Sequence, residues 1–529
     1  MKPNSRKKLF DIHAPVFYPS ALLIVLFIAV TLIVGEPMEQ IFSRLQNSIS
    51  DNTAWLFVLA VNIFVIFCLY FALSKYGRIR LGGVDAEPEF STFAWFAMLF
   101  SAGMGIGLLF FGVAEPIFHY NAPPIPVVDN AERVRVAMRY TFLHWGLHAW
   151  GIYALVGLAL AFFTFNRKLP LTIRSVFYPL LGERIHGPIG HVIDVISVLA
   201  TLFGLATSLG FGVQQIASGL NYLFALPNTL TVQVLLIAGI TLIATTSVVL
   251  GLDKGVRVLS ELNIRLGLIF LVVVMLLGPT IFLLDSFVQN IGSYAQNLLS
   301  LGFWTESYTG GKWQNTWTVV YWAWWISWSP YVGMFIARVS KGRTVREFVL
   351  GVLLVPTVLT VLWMSVFGGS AIYLELNGLA QIAEAVNIDI STALFVLLEE
   401  FPFSFLTAVM GILLVTSFFV TSSDSGSLVI DSITSGGKLD APVGQRIFWA
   451  LTEGGVAATL LIGGGLQALQ TAVITAGLPF CLLMLVMCYC LYLEFRKEDR
   501  EMRQREQAKS RKSYEKVISD LVTKNQQEK

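Results

Sequence analysis

Residues Ser101-Ala102-Gly103-Met104-Gly105-Ile106-Gly107 place three glycines at alternate positions inside an apolar stretch. Glycine weakens a helix interior and frees backbone groups. In a bilayer those groups must be satisfied internally, or must line a cavity and meet a ligand. The competing reading is a set of small residues that lets helices approach closely. A second interruption is expected at Ser329-Pro330, with Gly333 close behind, because proline removes a backbone hydrogen bond and disturbs the preceding turn. Interrupted helices at matching positions of two halves point to the midplane site of a transporter.

Directly before that proline stands Tyr321-Trp322-Ala323-Trp324-Trp325-Ile326-Ser327-Trp328, with four tryptophans in seven residues. At helical spacing Trp324, Trp325 and Trp328 share one broad face. Tryptophan is the best aromatic surface for a cation that cannot donate hydrogen bonds, so the face suits a quaternary ammonium group. The plainer alternative is an aromatic belt at the membrane surface. A belt, however, places one or two rings at a helix end rather than four beside a Ser-Pro.

Working outward, the chain is 529 residues long, 55% hydrophobic and 13% charged, with a mean hydropathy of +0.69. Soluble proteins carry about 25% charged residues, so this composition is that of an integral membrane protein, and apolar runs of helix-spanning length make it an all-α one. A net charge of +2 gives no global field for nucleic acid. Cys68, Cys481, Cys488 and Cys490 all lie in apolar runs, which argues against a disulfide framework or a zinc site. The basic start leads into a run of spanning length, read as a retained first helix rather than a cleaved signal. No nucleophile–base pair appears at a useful spacing, and no enzyme activity is expected.

At roughly 20 residues per helix the chain holds about twelve spans, near 16–35, 53–74, 92–113, 137–165, 191–218, 231–251, 262–284, 315–337, 346–374, 403–423, 444–465 and 467–493. Lysine and arginine collect after the even-numbered spans, which places both termini in the cytoplasm; Arg133, Arg135 and Arg139 depart from this bias. The expected organisation is an N-terminus (1–15), two peripheral helices (16–91), a first five-helix repeat (92–284), an outer amphipathic segment (285–314), a second five-helix repeat (315–493) and a charged tail (494–529). A further amphipathic stretch runs from Leu379 to Glu400. The tail has two open readings, a solvated segment or a helix drawn to anionic lipid or a neighbouring subunit.

The glycine run, Tyr321–Pro330 with its continuation to Arg338, and His144-Trp145-Gly146-Leu147-His148-Ala149-Trp150-Gly151-Ile152-Tyr153 together resemble the betaine/choline/carnitine transporter family. The resemblance extends from about the first span to the twelfth. It implies a five-plus-five inverted-repeat core behind two extra helices, often assembled as a homotrimer in the prokaryotic inner membrane. It also implies an aromatic box at Trp145, Trp150, Tyr153 and Trp325, with Trp324 and Trp328 along the inward path. Backbone N–H groups around Ala102, Gly103, Gly105 and Gly107 would receive a carboxylate, with Ser208 as a further donor; the plainer role for Ser208 is a bond to its own helix. Choline carriers of the family tend to have Asp where Gly107 stands, so a net-neutral substrate such as glycine betaine, or a related methylated or sulfonium zwitterion, is favoured.

No cofactor is implied, but Na⁺ is the expected coupling ion. The family's sodium position maps onto Ser101, Met104, Phe418, Thr421 and Ser422; the alternative for the two hydroxyl residues is a self-capped turn. A second sodium position retains Thr201 but has Leu205 where another hydroxyl often sits. Arg265 could replace the ion with a fixed charge or could snorkel to the surface. Asp194 and His144 are candidates for a proton relay or for pairing with neighbours, and Asp424 and Asp431 for a cytoplasmic gate. The expected activity is Na⁺-coupled uptake by alternating access. The alternatives are a proton-coupled or exchange carrier for choline or carnitine, and an osmosensor signalling through its tail.

Overall fold

The computed structural model describes residues 10–103, 105–250, 255–438 and 442–527. The described residues are overwhelmingly helical. Two long helices come first, α1 (Ala14–Val34) and α2 (Pro37–Leu73), each with a proline in its first turn, where no intrahelical N–H partner is needed. The glycine run then divides one span into α3 (Thr92–Gly103) and α4 (Ile106–Asn121), with Gly105 in extended conformation at the start of α4. The fourth expected span is also two helices, α5 (Asn130–Trp145) and α6 (Leu147–Phe165), meeting at Gly146. A side chain at Gly146 would come within 2.9 Å of the Tyr294 hydroxyl, so the junction is crowded as well as bent.

After the short α7 (Tyr178–Leu181) come α8 (Pro188–Phe224), α9 (Leu230–Leu250) and α10 (Gly255–Leu277). At Gly278-Pro279 the chain turns by 112° into α11 (Thr280–Gly302), which holds the expected amphipathic segment. The short α12 (Trp313–Thr316) introduces α13 (Thr318–Val339), and α14 (Val345–Leu376) follows, started by a reciprocal capping box between Thr344 and Glu347. The stretch from Leu379 to Glu400 contains the short helices α15 (Ile382–Ile388) and α16 (Ala393–Glu399). The chain closes with α17 (Ser404–Thr434) and α18 (Val443–Gln527), the latter kinked where Gly464 and Gly465 take φ of 153° and 56°.

Among the described residues eight helices are long and apolar enough to cross a membrane, or nine with the bent α10–α11 pair. The broken α3–α4, the tryptophan-rich α13 and the second half of α18 bring the count to the twelve expected. The molecule is a multi-pass, all-helical membrane protein. Its outer helices turn large apolar side chains outward, including Leu22 at 68% and Ile33 at 84% exposure. That is the arrangement a lipid solvent favours.

The centre is the opposite. Every residue from His148 to Phe163 in α6 and from Thr318 to Pro330 in α13 is buried. The two helices cross closely because Gly157 and Gly333 face one another; a Cβ on Gly333 would lie 3.0 Å from the Gly157 nitrogen. One expectation fails here, since α13 runs through Pro330 without interruption. Proline at position 330 frees the carbonyl of Ile326, four residues back. The Ser329 hydroxyl donates to that carbonyl at 2.7 Å, so no backbone group is left to force a break. Only the glycine-run partner of the expected pair is interrupted.

Candidate functional site

Three helices converge on one small cavity beside the α3–α4 break. Trp145 ends α5, Trp150 and Tyr153 lie one turn apart on α6, and Trp324, Trp325 and Trp328 come from α13. Gly105, Gly107 and Leu108 close it from the start of α4, and Ala149 and Thr360 complete the wall. Trp324 and Trp325 stack with centroids 4.8 Å apart and planes 10° from parallel. Trp145 meets Trp325 edge-on at 4.9 Å, and Tyr153 meets it at 6.2 Å. The space left between the rings is about 20 Å³, room for about one water.

The rings are held at their polar ends. Trp324 Nε1 donates to Ser208 Oγ at 3.0 Å, Trp325 Nε1 to the His144 carbonyl at 2.8 Å, and Trp328 Nε1 to the Gly204 carbonyl at 2.9 Å. Trp145 Nε1 donates to Glu115 Oε2 at 2.6 Å, while the Thr360 hydroxyl holds the Trp145 carbonyl at 3.0 Å. A buried indole N–H needs such a partner. Once it has one, the face of the ring is what remains for a ligand.

All six expected aromatic residues therefore meet in one place, with Trp324 and Trp328 lining the same cavity as Trp325. Gly107 has a steric reason to be glycine. A Cβ there would lie 2.8 Å from Trp145 Cη2 and 3.0 Å from Trp324 Cη2. Ser208 sits behind Trp324; it accepts that indole N–H and spends its own proton on the Gly204 carbonyl at 3.3 Å. Ser101, Ala102 and Gly103 form the last turn of α3. Met104 lies outside the described residues, as do the side chains of Ser101 and Ala102.

Of the expected sodium ligands, Phe418, Thr421 and Ser422 are buried on α17. The Thr421 hydroxyl lies 3.0 Å from the Ser417 carbonyl and accepts from Asn263 Nδ2 at 3.1 Å. Thr201 donates to the Ser197 carbonyl of its own helix at 2.8 Å. Arg265 is far from any such role: its side chain is 75% exposed and pairs with Glu261 at 3.7 Å. Asp194 is buried and paired with Arg174, at 3.2 Å to the guanidinium and 3.0 Å to the backbone N–H. Asp424 accepts from Ser247 at 2.6 Å, and Asp431 pairs with Arg446 at 3.4 Å.

Sequence reasoning did not single out Leu108, Ala149, Thr360 or Glu115. The first three are ordinary members of apolar helices and carry no sequence signal. Glu115 did carry one, as a lone acid in a membrane span. It is fully buried, and His144 Nδ1 lies 2.6 Å from its Oε1. Ligand atoms of Glu115, His119 and His144 all fall within 4.8 Å of one another. Both imidazoles, however, already engage the carboxylate, so the group reads as a hydrogen-bond network.

The tail begins as a direct continuation of the last helix. Helix α18 carries it out of the bundle, and its first turns dock on the chain's own loops. Arg167 pairs with Glu494 and, at 2.8 Å, with Glu498. Asp499 pairs with Lys75 at 3.0 Å and with Arg78 at 3.2 Å. Burial works to raise the Asp499 carboxyl, but these two cations, with Arg503 one turn on at 3.2 Å, hold it below the ordinary carboxylate range. Beyond that point the helix is exposed.

With the geometry in place, comparison with known proteins gives a consistent result. The profile of BCCT, the betaine/carnitine/choline family of transporters, matches residues 15–500. The chain is 49% identical over 496 residues to a glycine betaine/proline/choline transporter of Vibrio parahaemolyticus, covering 90% of this chain and 89% of that one. It is 49% identical to glycine betaine transporter 1 of the same organism, over 94% and 96% of the two chains. It is 45% identical to a glycine betaine transporter of Acinetobacter baylyi, over 96% and 77%.

Proposed function

The chain belongs to the betaine/carnitine/choline transporter family, and we propose that it imports a betaine-type zwitterion, glycine betaine foremost, by Na⁺ symport and alternating access. The observation that carries this reading is the convergence of six aromatic side chains on a cavity at a helix break. Each ring face contributes about 0.5–2 kcal/mol to a desolvated onium group. Three or four faces would hold the cargo without a direct carboxylate contact, weakly enough to release it. The carboxylate end of the zwitterion would meet the free N–H groups at the start of α4, whose Gly105 and Gly107 line the cavity.

Sodium would bind between the end of α3 and α17, using Ser101, Met104, Phe418, Thr421 and Ser422. Asn263 supports this placement, because its buried Oδ1 has no hydrogen-bond partner while its Nδ2 touches Thr421. Sodium takes oxygen ligands of this kind. A second ion at Thr201 has less support, since that hydroxyl is committed to its own helix. The exposed position of Arg265 favours ion coupling over replacement of the ion by a fixed charge. The protein would sit in a bacterial inner membrane with both termini in the cytoplasm, as a homotrimer. Tyr514, Val517, Ile518 and Leu521 are exposed along one face of α18 and would suit a neighbouring subunit, while Lys509, Arg511, Lys512 and Lys516 of the same segment would suit anionic lipid.

Uptake of labelled glycine betaine into proteoliposomes tests the reading. A Na⁺ gradient is expected to drive accumulation, and transport unchanged without Na⁺ would refute the symport. Trp325→Leu is expected to abolish uptake; near-normal affinity in that variant would refute the cage.

A further inference from the structure

Glu115 on α4 is fully buried, and no lysine or arginine among the described residues pairs with it. Four groups surround its two oxygens. Oε1 lies 2.6 Å from His144 Nδ1 and 3.2 Å from His119 Nε2. Oε2 accepts from Trp145 Nε1 at 2.6 Å and from the Tyr321 hydroxyl. A carboxylate that accepts four hydrogen bonds is a fully satisfied anion, whereas a protonated acid would set its own proton against one of these donors. His144 Nε2 lies 2.9 Å from the Thr318 hydroxyl, which ties that ring to α13 as well.

The result is a buried carboxylate in the interior with no lysine or arginine beside it among the described residues, where the low dielectric preserves its field. Its position is specific. Trp145 has its N–H on Glu115 and the far edge of its six-membered ring against Gly107 at the cavity wall. One indole therefore spans from the anion to the cavity. A charge-assisted hydrogen bond at the indole N–H fixes the ring and raises electron density on the face that meets a cation. The same carboxylate ties α4, α5 and α13 together at the cage.

We propose that Glu115 is the counter-charge and positioning residue of the ring cage, selecting an onium centre over an uncharged group of the same shape through Trp145. The inference rests on the cage reading. It also gives the cage a negative partner that the glycine at position 107 does not supply.

The test measures binding to the purified full-length protein by tryptophan fluorescence, with glycine betaine and with 3,3-dimethylbutanoate, in which carbon replaces the ammonium nitrogen. The wild type is expected to prefer glycine betaine at least tenfold. Glu115→Gln is expected to cut that preference at least fivefold, and Glu115→Asp, which keeps the charge, to retain more than half of it. Equal weakening of both ligands in Glu115→Gln would mark the residue as merely structural and overturn the proposal, as would an unchanged preference. Should Glu115→Gln not fold, Trp145→Phe, which loses the N–H link, is expected to lose at least threefold more preference than Trp150→Phe, which does not touch Glu115. Equal losses in those two variants would count against the proposal. A wild type that binds no glycine betaine at all would instead remove the cage reading beneath it.

Discussion

A methyl group at position 107 would press on Trp145 and Trp324 at once, at 2.8 and 3.0 Å. Neither ring can retreat freely, because each is tied by its indole nitrogen, one to Glu115 and the other to Ser208. Gly107→Ala is therefore expected to raise KM for glycine betaine at least tenfold while the protein still folds; a KM within twofold of wild type would show that the rings yield. The aromatic residues of the site were legible in the sequence, because tryptophan clusters and the resemblance they carry are visible along the chain. Their anchors were not. Gly204, Ser208, Glu115 and the His144 carbonyl come from other helices, and only tertiary packing reveals that they serve the rings. Ser208 makes the bond to its own helix that the sequence offered as its plainer role, and packing adds the indole of Trp324 as its second partner.

At the scale of elements, the length of the apolar runs located the spans, but breaks were harder to place. The glycine run does break its helix, while Ser329-Pro330 does not, because one hydroxyl satisfies the carbonyl that the proline releases. Ser329→Ala leaves that buried carbonyl short of its donor and is expected to destabilise the protein by about 1–2 kcal/mol, read as a lowered melting temperature in detergent. An unchanged melting temperature would mean that another group takes over. The α5–α6 junction was missed because Gly146 lies between two strongly apolar, aromatic segments with no proline to mark it. That junction matters to the site, since it sets Trp145 on one helix and Trp150 and Tyr153 on the next.

For the molecule as a whole, α18 joins the bundle to its tail without a hinge after Gly465. The clamp at Lys75, Arg78 and Asp499 fixes where the tail leaves. Charge composition showed that this segment is polar, but it could not show that the acids of one region would meet the bases of two distant loops. Asp499→Asn is expected to cost about 1 kcal/mol, since both cations are partly solvated, and to speed hydrogen exchange in the turns around residue 499. The sign of the pH effect follows from the lowered carboxyl. Its contribution is fully present above the ordinary carboxylate value near about 4 and is lost as pH falls through the lower folded value. Melting curves should thus show an acid-side loss in the wild type that Asp499→Asn lacks, and no difference in slope between pH 5 and 8.

Trp325 packs against Trp324, Trp145 and Tyr153, leaving a gap of only about 20 Å³. To admit a trimethylammonium group, the stacked pair Trp324 and Trp325 must separate from Trp145 and Tyr153, giving up aromatic contacts. Only a guest that is itself greasy, rounded and positively charged restores on each face what the parted rings lose. A hydrated potassium or ammonium ion would surrender its water shell and regain far less. The site thus sets an admission threshold before any contact with the guest is counted, and contact among its own walls becomes a means of keeping the common inorganic cations out.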